Sequence, residues 1–406
     1  MWLLLLYIIV IVLVIYLTGA MAYLLVLAAA YFIIPEPKRI ESSKLNRFAI
    51  LVPAHDEELL ISCLCESFLK INYPRDLYEI FIIADNCDDK TAEICNSFPV
   101  NVLVRNDPSH TGKGFAINWT LKKVPLAKFD AIFMVDADNI VDSQILEQLN
   151  LMINQGEIAI QCYNTVGNRS DSWFTELLFV SRTIGNLLYH HAKYKLGLSS
   201  YLMGNGICFK SHLLQEKGWT AFSAGEDWEY YAQLIECRIK IGFAKDAKVF
   251  HQESKSLNQA TSQRLRWSSG RFLVLRKFGI WLFWKGIIMH DLFTLDASLP
   301  LIFPNYSLQL NLTLLALILV SLLPSSDLRL FLLATGLLLV FGQVLLFLAG
   351  VYLTKSYMKV FKAMLHAPVF LFWKAIIDFL SLTRIYRGGK WIRTERHISS
   401  TKTKTL

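Results

Sequence analysis

The stretch Ala131-Ile132-Phe133-Met134-Val135-Asp136-Ala137-Asp138 decides the reading of this chain, because an apolar run long enough for one buried strand ends in two aspartates one residue apart. Three similar runs precede it. Phe48 to Val52 stops at Pro53, Ile80 to Ala84 stops at Asp85-Asn86, and Val100 to Val104 leads into Arg105-Asn106-Asp107. Polar turns and helix-like sequence follow each, as in Thr91 to Ser97 and Gly114 to Lys122. Strands alternating with helices predict an open, mainly parallel α/β sheet, whose functional groups gather at the carboxyl ends of the strands. His55, Asp56, Glu57, Asp85, Asp136 and Asp138 then share one edge. Either Asp138 or Asn139 caps a helix over Gln144 to Leu149, or the two aspartates hold a hard divalent cation together with a diphosphate, Mg²⁺ or Mn²⁺ in character.

The surroundings of this domain are apolar. Of 406 residues, 54% are hydrophobic and 18% charged, a balance that points to a membrane protein with a large polar domain. No charge occurs from Trp2 to Ile34, more than the roughly 20 residues a crossing helix needs, which reads as a retained anchor that can bend at Gly19. Tyr306 to Leu323 and Leu330 to Leu353 read as two further spans around the turn Pro324 to Asp327. Lys38, Arg39, Lys44 and Arg47 follow the anchor, so the polar domain is expected in the cytoplasm, at the plasma (inner) membrane of a multi-pass protein. The basic tail after Leu382 belongs on the same side if Phe361 to Leu382, broken by Pro368, lies along the interface. The alternative, in which that segment crosses, stays open.

The expected division is an anchor over 1–34, a catalytic domain over 48–271, interfacial helices over 272–303, two crossing helices over 304–353, and an interfacial helix with its basic tail over 360–406. Seven cysteines with no CxxC pair exclude a disulfide framework or zinc ribbon. The net charge of +8 belongs mainly to membrane flanks, so no nucleic-acid partner is expected.

Seven short motifs stand in order: "VPAHDEE" (Val52 to Glu58), "ADNCDDKT" (Ala84 to Thr91), "GKG" (Gly112 to Gly114), "DAD", "GNG" (Gly204 to Gly206), "GED" (Gly225 to Asp227) and "QRLRW" (Gln263 to Trp267). Together they resemble the family 2 glycosyltransferases, and more narrowly the membrane-embedded branch that contains cellulose, hyaluronan and poly-N-acetylglucosamine synthases. The resemblance implies a GT-A fold with a nucleotide-sugar pocket lined by Pro53, Ala54, Glu57, Asp85, Lys113 and Asp136. It implies metal binding by Asp138 with Asp136, Asp227 as general base oriented by Glu226, and an acceptor pocket at Gly204, Asn205 and Gly206. Gln263 and Arg266 are expected on the donor, and Trp267 against both donor and acceptor.

The implied partners are a UDP-sugar, a glycan or lipid-linked acceptor and membrane lipids, with a homo-oligomer or secretion partner completing a channel if the product is exported. The expected reaction is inverting transfer to a growing β-linked polysaccharide. Single-sugar transfer to a polyprenyl phosphate or other lipid is the alternative, and a non-catalytic assembly subunit is the third class.

Three features are read independently of the resemblance. The helix carrying "QRLRW" also suits an interfacial helix, with Arg264, Arg271, Arg276 and Lys277 toward anionic lipid. His251 is a further candidate metal ligand. Trp391 and Arg393 in the basic tail read either as a lipid anchor or as a lid over the donor.

Overall fold

The computed structural model describes residues 1–38 and 43–384. Arg39, Trp391 and Arg393 lie outside the described residues, and so does the lid expected of the tail.

Helix α1 (Trp2–Ile33) runs unbroken through Gly19. The domain then builds β1 (Phe48–Ala54), α2 (Ile61–Phe68), β2 (Tyr78–Asp85), α3 (Thr91–Cys95), β3 (Asn101–Arg105), α4 (Lys113–Leu121) and β4 (Ala131–Met134). These are the four strands expected from the apolar runs. They pair in parallel in the order β3-β2-β1-β4. Strand β1 is buried on both faces because Ala49 and Leu51 pack toward Ala116 and Ile117 of α4, while Phe48, Ile50 and Val52 pack toward Ile61, Leu64 and Phe68 of α2. An uninterrupted apolar run is what a strand with helices on both sides requires.

The second half departs from simple alternation. It contains β5 (Asn139–Val141), α5 (Ile145–Asn154), β6 (Ala159–Val166) and α6 (Trp173–Thr183), which passes through a π-helical stretch, Ile184–His191, into α7 (Ala192–Lys195). Next come β7 (Ile207–Lys210), α8 (Ser211–Lys217), α9 (Glu226–Glu236) and β8 (Ile241–His251). Strand β7 joins antiparallel to β4 and β6, β8 runs parallel to β6, and β5 closes the edge antiparallel to β8, giving the order β3-β2-β1-β4-β7-β6-β8-β5. The aspartate pair is therefore no helix cap. Asn139 opens a strand, and α5 starts only at Ile145, after Asp142 accepts from the Gln144 N–H at 2.9 Å.

The remaining helices are α10 (Leu257–Val274), continued by a π-helical stretch, Leu275–Gly279, into α11 (Ile280–Ile288), then α12 (Leu292–Ile302), α13 (Tyr306–Ser321), α14 (Asp327–Thr354), α15 (Tyr357–Met364) and α16 (Ala367–Arg384). Two of the described helices, α1 and α14, are long and apolar enough to cross a membrane. The expected span over 306–323 is only the 16 residues of α13, about 24 Å long. It passes the same test only when joined to α12 across a 72° bend, and α15 with α16 across a 63° bend. The latter break precedes Ala367, and Pro368 sits in the first turn of α16, where its missing N–H costs nothing.

The domain half of α1 is fastened by polar contacts. The Tyr16 hydroxyl donates to Ile302 O at 2.7 Å, the Tyr23 hydroxyl donates to Asp296 at 2.7 Å, and Lys195 donates to Tyr31 O at 2.6 Å. Asp296 also meets the buried Lys193 at 3.0 Å. Beyond Tyr16, Val10 and Val14 pack with Ala316, Val320, Leu332 and Leu339 in one apolar cluster.

Candidate active site

The ends of β1, β2 and β4 open into a cavity of about 1170 Å³. At its charged end Lys113, the first residue of α4, reaches Asp136 and the carbonyl of Gly204, with Glu226 at 3.9 Å. Burial alone would lower the Lys113 pKa, but Asp136 and Glu226 raise it on balance. Lys113 thus sits among the acids instead of standing free for a phosphate, a pairing that spacing alone does not reveal.

Asp227 stands in the first turn of α9, where the opening backbone N–H groups favour an acid. Its pKa is nevertheless pushed up to about 7, first by burial and then by the neighbouring Glu226, whose own carboxyl is raised by burial. Such a carboxylate is poised to exchange a proton near neutrality. Gly204, at φ +75°, lies so close that a Cβ would sit 3.0 Å from Asp227 Oδ2. The "GED" turn and the "QRLRW" helix meet through two glycines, since a Cβ on Gly225 would lie 2.9 Å from the Gly270 carbonyl carbon. That approach carries Gln263, Arg266 and Trp267 of α10 into the same cavity wall.

Pro53, Ala54, Glu57, Asp85, Asp136 and Asp138 all line this cavity. Asp85 does so from within a buried bridge to Arg105 at 2.5 Å. Its carboxyl is raised by burial, which Arg105 offsets only in part. Gly204 and Asn205 also line the cavity, but the Asn205 side chain braces the aspartate turn, accepting from Asp136 N and Asn139 Nδ2, each at 3.1 Å. Gly206 packs away from the opening against Val249, Asn164 and Cys162.

His251 pairs with Asn139 across β8 and β5 and so stands beside the aspartates, yet its Nε2 lies 2.9 Å from Glu253. Among the described residues, the one trio of possible metal ligands within 4.8 Å of one another is Asp56, Cys87 and Asp89. There the Asp88 N–H donates to Asp56, and the Glu58 and Thr91 N–H groups donate to Asp89, which ties two loops together.

Arg264 and Arg271, expected toward lipid, turn inward. Arg264 donates to Glu253 at 2.7 Å, and Arg271 donates to the carbonyls of Pro300 and Phe303. Arg264 turns because the buried Glu253 demands cations and also draws Arg182 at 3.4 Å. Arg276 and Lys277 do face outward, Lys277 while also donating to Glu229 at 2.7 Å. Trp267 remains exposed, with the Arg264 guanidinium 4.6 Å from its ring centre.

The sequence reading missed Arg105, Arg182 and Glu253, and also Asn186 and Tyr189 of the π-helical stretch and Gln309 of α13, all three on the cavity wall. Arg105 carried a signal, a charge closing an apolar run. The others carried none.

Residues 46–270 match the model of the family described as glycosyltransferase like family 2. The chain is 25% identical over 252 residues to the probable glycosyltransferase YdaM of Bacillus subtilis, covering 60% of this chain and 59% of that protein. It is 28% identical over 213 residues to a beta-monoglucosyldiacylglycerol synthase of Nostoc, covering 49% and 44%. The chain therefore spans about half the length of these curated relatives. The mannosyltransferase PcManGT from Pyrobaculum calidifontis, solved with GDP-Man and Mn2+, superposes with a TM-score of 0.59 at 17% identity over 86% of this chain and 98% of that one, which shows a shared fold.

Proposed function

This chain belongs to the glycosyltransferase like family 2 and is a glycosyltransferase; from that premise we propose that it moves one sugar from a UDP-sugar to the hydroxyl of a membrane lipid, with inversion at the sugar carbon. Asp227 takes the proton of the acceptor hydroxyl as that oxygen attacks the anomeric carbon. The bond from that carbon to the diphosphate breaks, and its electron pair leaves with the diphosphate. Arg266 and Gln263 receive the leaving oxygens by hydrogen bonds. Glu226 holds Lys113 and keeps a second charge beside Asp227. Pro53, Ala54, Glu57 and Asp85 form the nucleotide side, Gly204 and Trp267 the acceptor side.

Asp138, with Asp136, fits a divalent ion of the Mg²⁺ or Mn²⁺ kind, since such ions take one or two carboxylates and complete their shell with phosphate and water oxygens. When bound, the ion neutralises charge on the departing diphosphate.

The acceptor class rests on one observation, the depth of the cavity. It runs from the acids down to Ala20, Gln309 and Leu346 on three different helices, and beyond that level Val14, Leu17, Ala316 and Leu339 are packed together. The stretches beyond the floor, Trp2 to Ala20 and Asp327 to Leu346, are each about 30 Å long, the thickness of the bilayer hydrocarbon. A cavity floored at the bilayer face suits an acceptor that stays in the membrane. Passage of a growing polysaccharide would need the packed level to open, so the lipid acceptor replaces the polymer as the favoured reading. It requires neither an oligomer nor a secretion partner. Catalysis on the cytoplasmic side follows from the Lys and Arg residues after α1.

The test is product analysis. Full-length protein in lipid nanodiscs is given a panel of labelled UDP-sugars with Mn²⁺ or Mg²⁺, and label is followed into extracted lipid and into water-soluble polymer. Label in lipid supports the reading, and a size ladder of polymer overturns it.

A further inference from the structure

The wall between Asp227 and the cavity floor is unlike the charged end. Asn186 and Gln309 are 1% and 0% exposed, yet one polar atom of each, Asn186 Oδ1 and Gln309 Oε1, meets no partner while its residue lines the cavity. The Tyr189 hydroxyl is likewise buried, with the Tyr23 hydroxyl as its neighbour. A buried polar group left unpaired costs about 1–3 kcal/mol, so two on one wall, with a third buried hydroxyl on the same wall, need an explanation. Two of them come from the π-helical stretch Ile184–His191, and π-turns inside helices occur often at functional sites.

The chemistry of these atoms selects a ligand. Asn186 Nδ2 donates to Asn164 O at 2.7 Å, which fixes its free end as a carbonyl acceptor. Gln309 Nε2 faces only Met21 Sδ at 3.6 Å, so whichever way its amide turns, one end lacks a good partner. Hydroxyls both donate and accept, so a head that carries several can satisfy all three, whereas a phosphate only accepts. Most cations lining the cavity already hold an anion or carbonyl: Lys113 has Asp136, Arg182 and Arg264 have Glu253, Lys374 has Asp378, and Arg271 has two backbone carbonyls.

We infer that Asn186, Tyr189 and Gln309 form the acceptor subsite and that it takes an uncharged, hydroxyl-bearing lipid head in preference to a lipid phosphate. This rests on the lipid-acceptor reading above. One hydroxyl of the head points toward Asp227, and its other hydroxyls meet the neutral wall.

The experiment uses the full chain in mixed micelles with its preferred UDP-sugar and either a monoglycosylated dioleoylglycerol, whose uncharged head carries several hydroxyls, or a polyprenyl phosphate at equal mole fraction. The glycosylated dioleoylglycerol is expected to be the faster acceptor. Tyr189→Phe removes only the buried hydroxyl, and Gln309→Leu removes the amide. Each is expected to raise the acceptor KM roughly three- to tenfold, one hydrogen bond's worth, with UDP affinity by calorimetry unchanged and a single cooperative thermal transition retained. Lipid-linked product with an unchanged KM in both variants overturns the subsite while the lipid reading stands. Faster transfer to polyprenyl phosphate overturns the neutral head. Absence of any lipid-linked product overturns both.

Discussion

Two buried carboxylate groups on the walls of one cavity have opposite electrostatics. Asp227 and Glu226 repel each other, and the nearest cation, Lys113, is shared with Asp136, so burial wins and both pKa values rise. Glu253 is 3% exposed, and burial alone would raise it too, but Arg264, His251 and Arg182 hold it well below the usual carboxylate range. Glu253 lies deeper than the half-buried Asp227 and Glu226, yet it is the one held down, because more cations reach it. Burial makes a base only where compensation stops short, and where it is complete the same residue type becomes a brace.

Replacement at each site should separate the two roles. Asp227→Asn is expected to lower kcat by roughly 10² to 10⁴, with UDP binding retained and the thermal midpoint equal or higher, because a poorly compensated buried charge has gone. An equal loss of donor affinity would make Asp227 a ligand and break the contrast. Asp138→Asn is expected to cost turnover on the order of 10²-fold or more and to abolish the Mn²⁺ enhancement of UDP binding seen by calorimetry. Enhancement that survives would remove Asp138 from the metal site. Glu253→Gln strands two arginines and should destabilise the fold by about 3–5 kcal/mol in denaturant titration, with the loss of kcat following the loss of folded protein.

Proton linkage gives a gentler test. Asp227 is raised to about 7 in the fold, so turnover should fall about tenfold per pH unit below 7 and level off above it. The same raised group opposes folding once it ionises, so its unfavourable contribution grows as pH climbs from its unfolded value to about 7 and is constant above that. Glu253 is depressed, and its contribution is present above the usual glutamate range and fades as pH drops through its lower folded value. Asp227→Asn should therefore flatten the kinetic profile while leaving the acid-side loss of stability, and Glu253→Gln should do the reverse.

The smallest effect concerns the outward charges. Replacing either Arg276 or Lys285 by Gln, beside exposed Trp281 and Trp284 of α11, should weaken binding of anionic lipid to the detergent-solubilised protein by about fivefold, about 1 kcal/mol per charge, without altering kcat.

The parallel half of the sheet was legible because each of its strands is a local apolar run with a polar stop, and periodicity is a property of neighbours in sequence. The motif residues were legible for a related reason: acids at strand ends must converge in an α/β sheet whatever the loops do. Strands β5 and β7 escaped notice because they are three and four residues long and gain their meaning only from distant partners, His251 with Asn139 and Ile207 with Met134.

The inward turn of Arg264 and Arg271 was hidden for the same cause. A basic residue on an amphipathic helix looks alike in sequence whether it faces lipid, as expected here, or backbone carbonyls or a buried glutamate eleven residues away. The sequence by itself determined an acid-lined strand edge of an α/β sheet beside apolar helices, since composition and run length are local quantities, and the order of its motifs carried the resemblance that implied sugar transfer. The tertiary structure alone decided which acid has its pKa raised and which has it lowered, where the cavity ends and which neutral groups line it. Each of those depends on how many charges and side chains from separate helices meet at one point, and no local pattern records that sum.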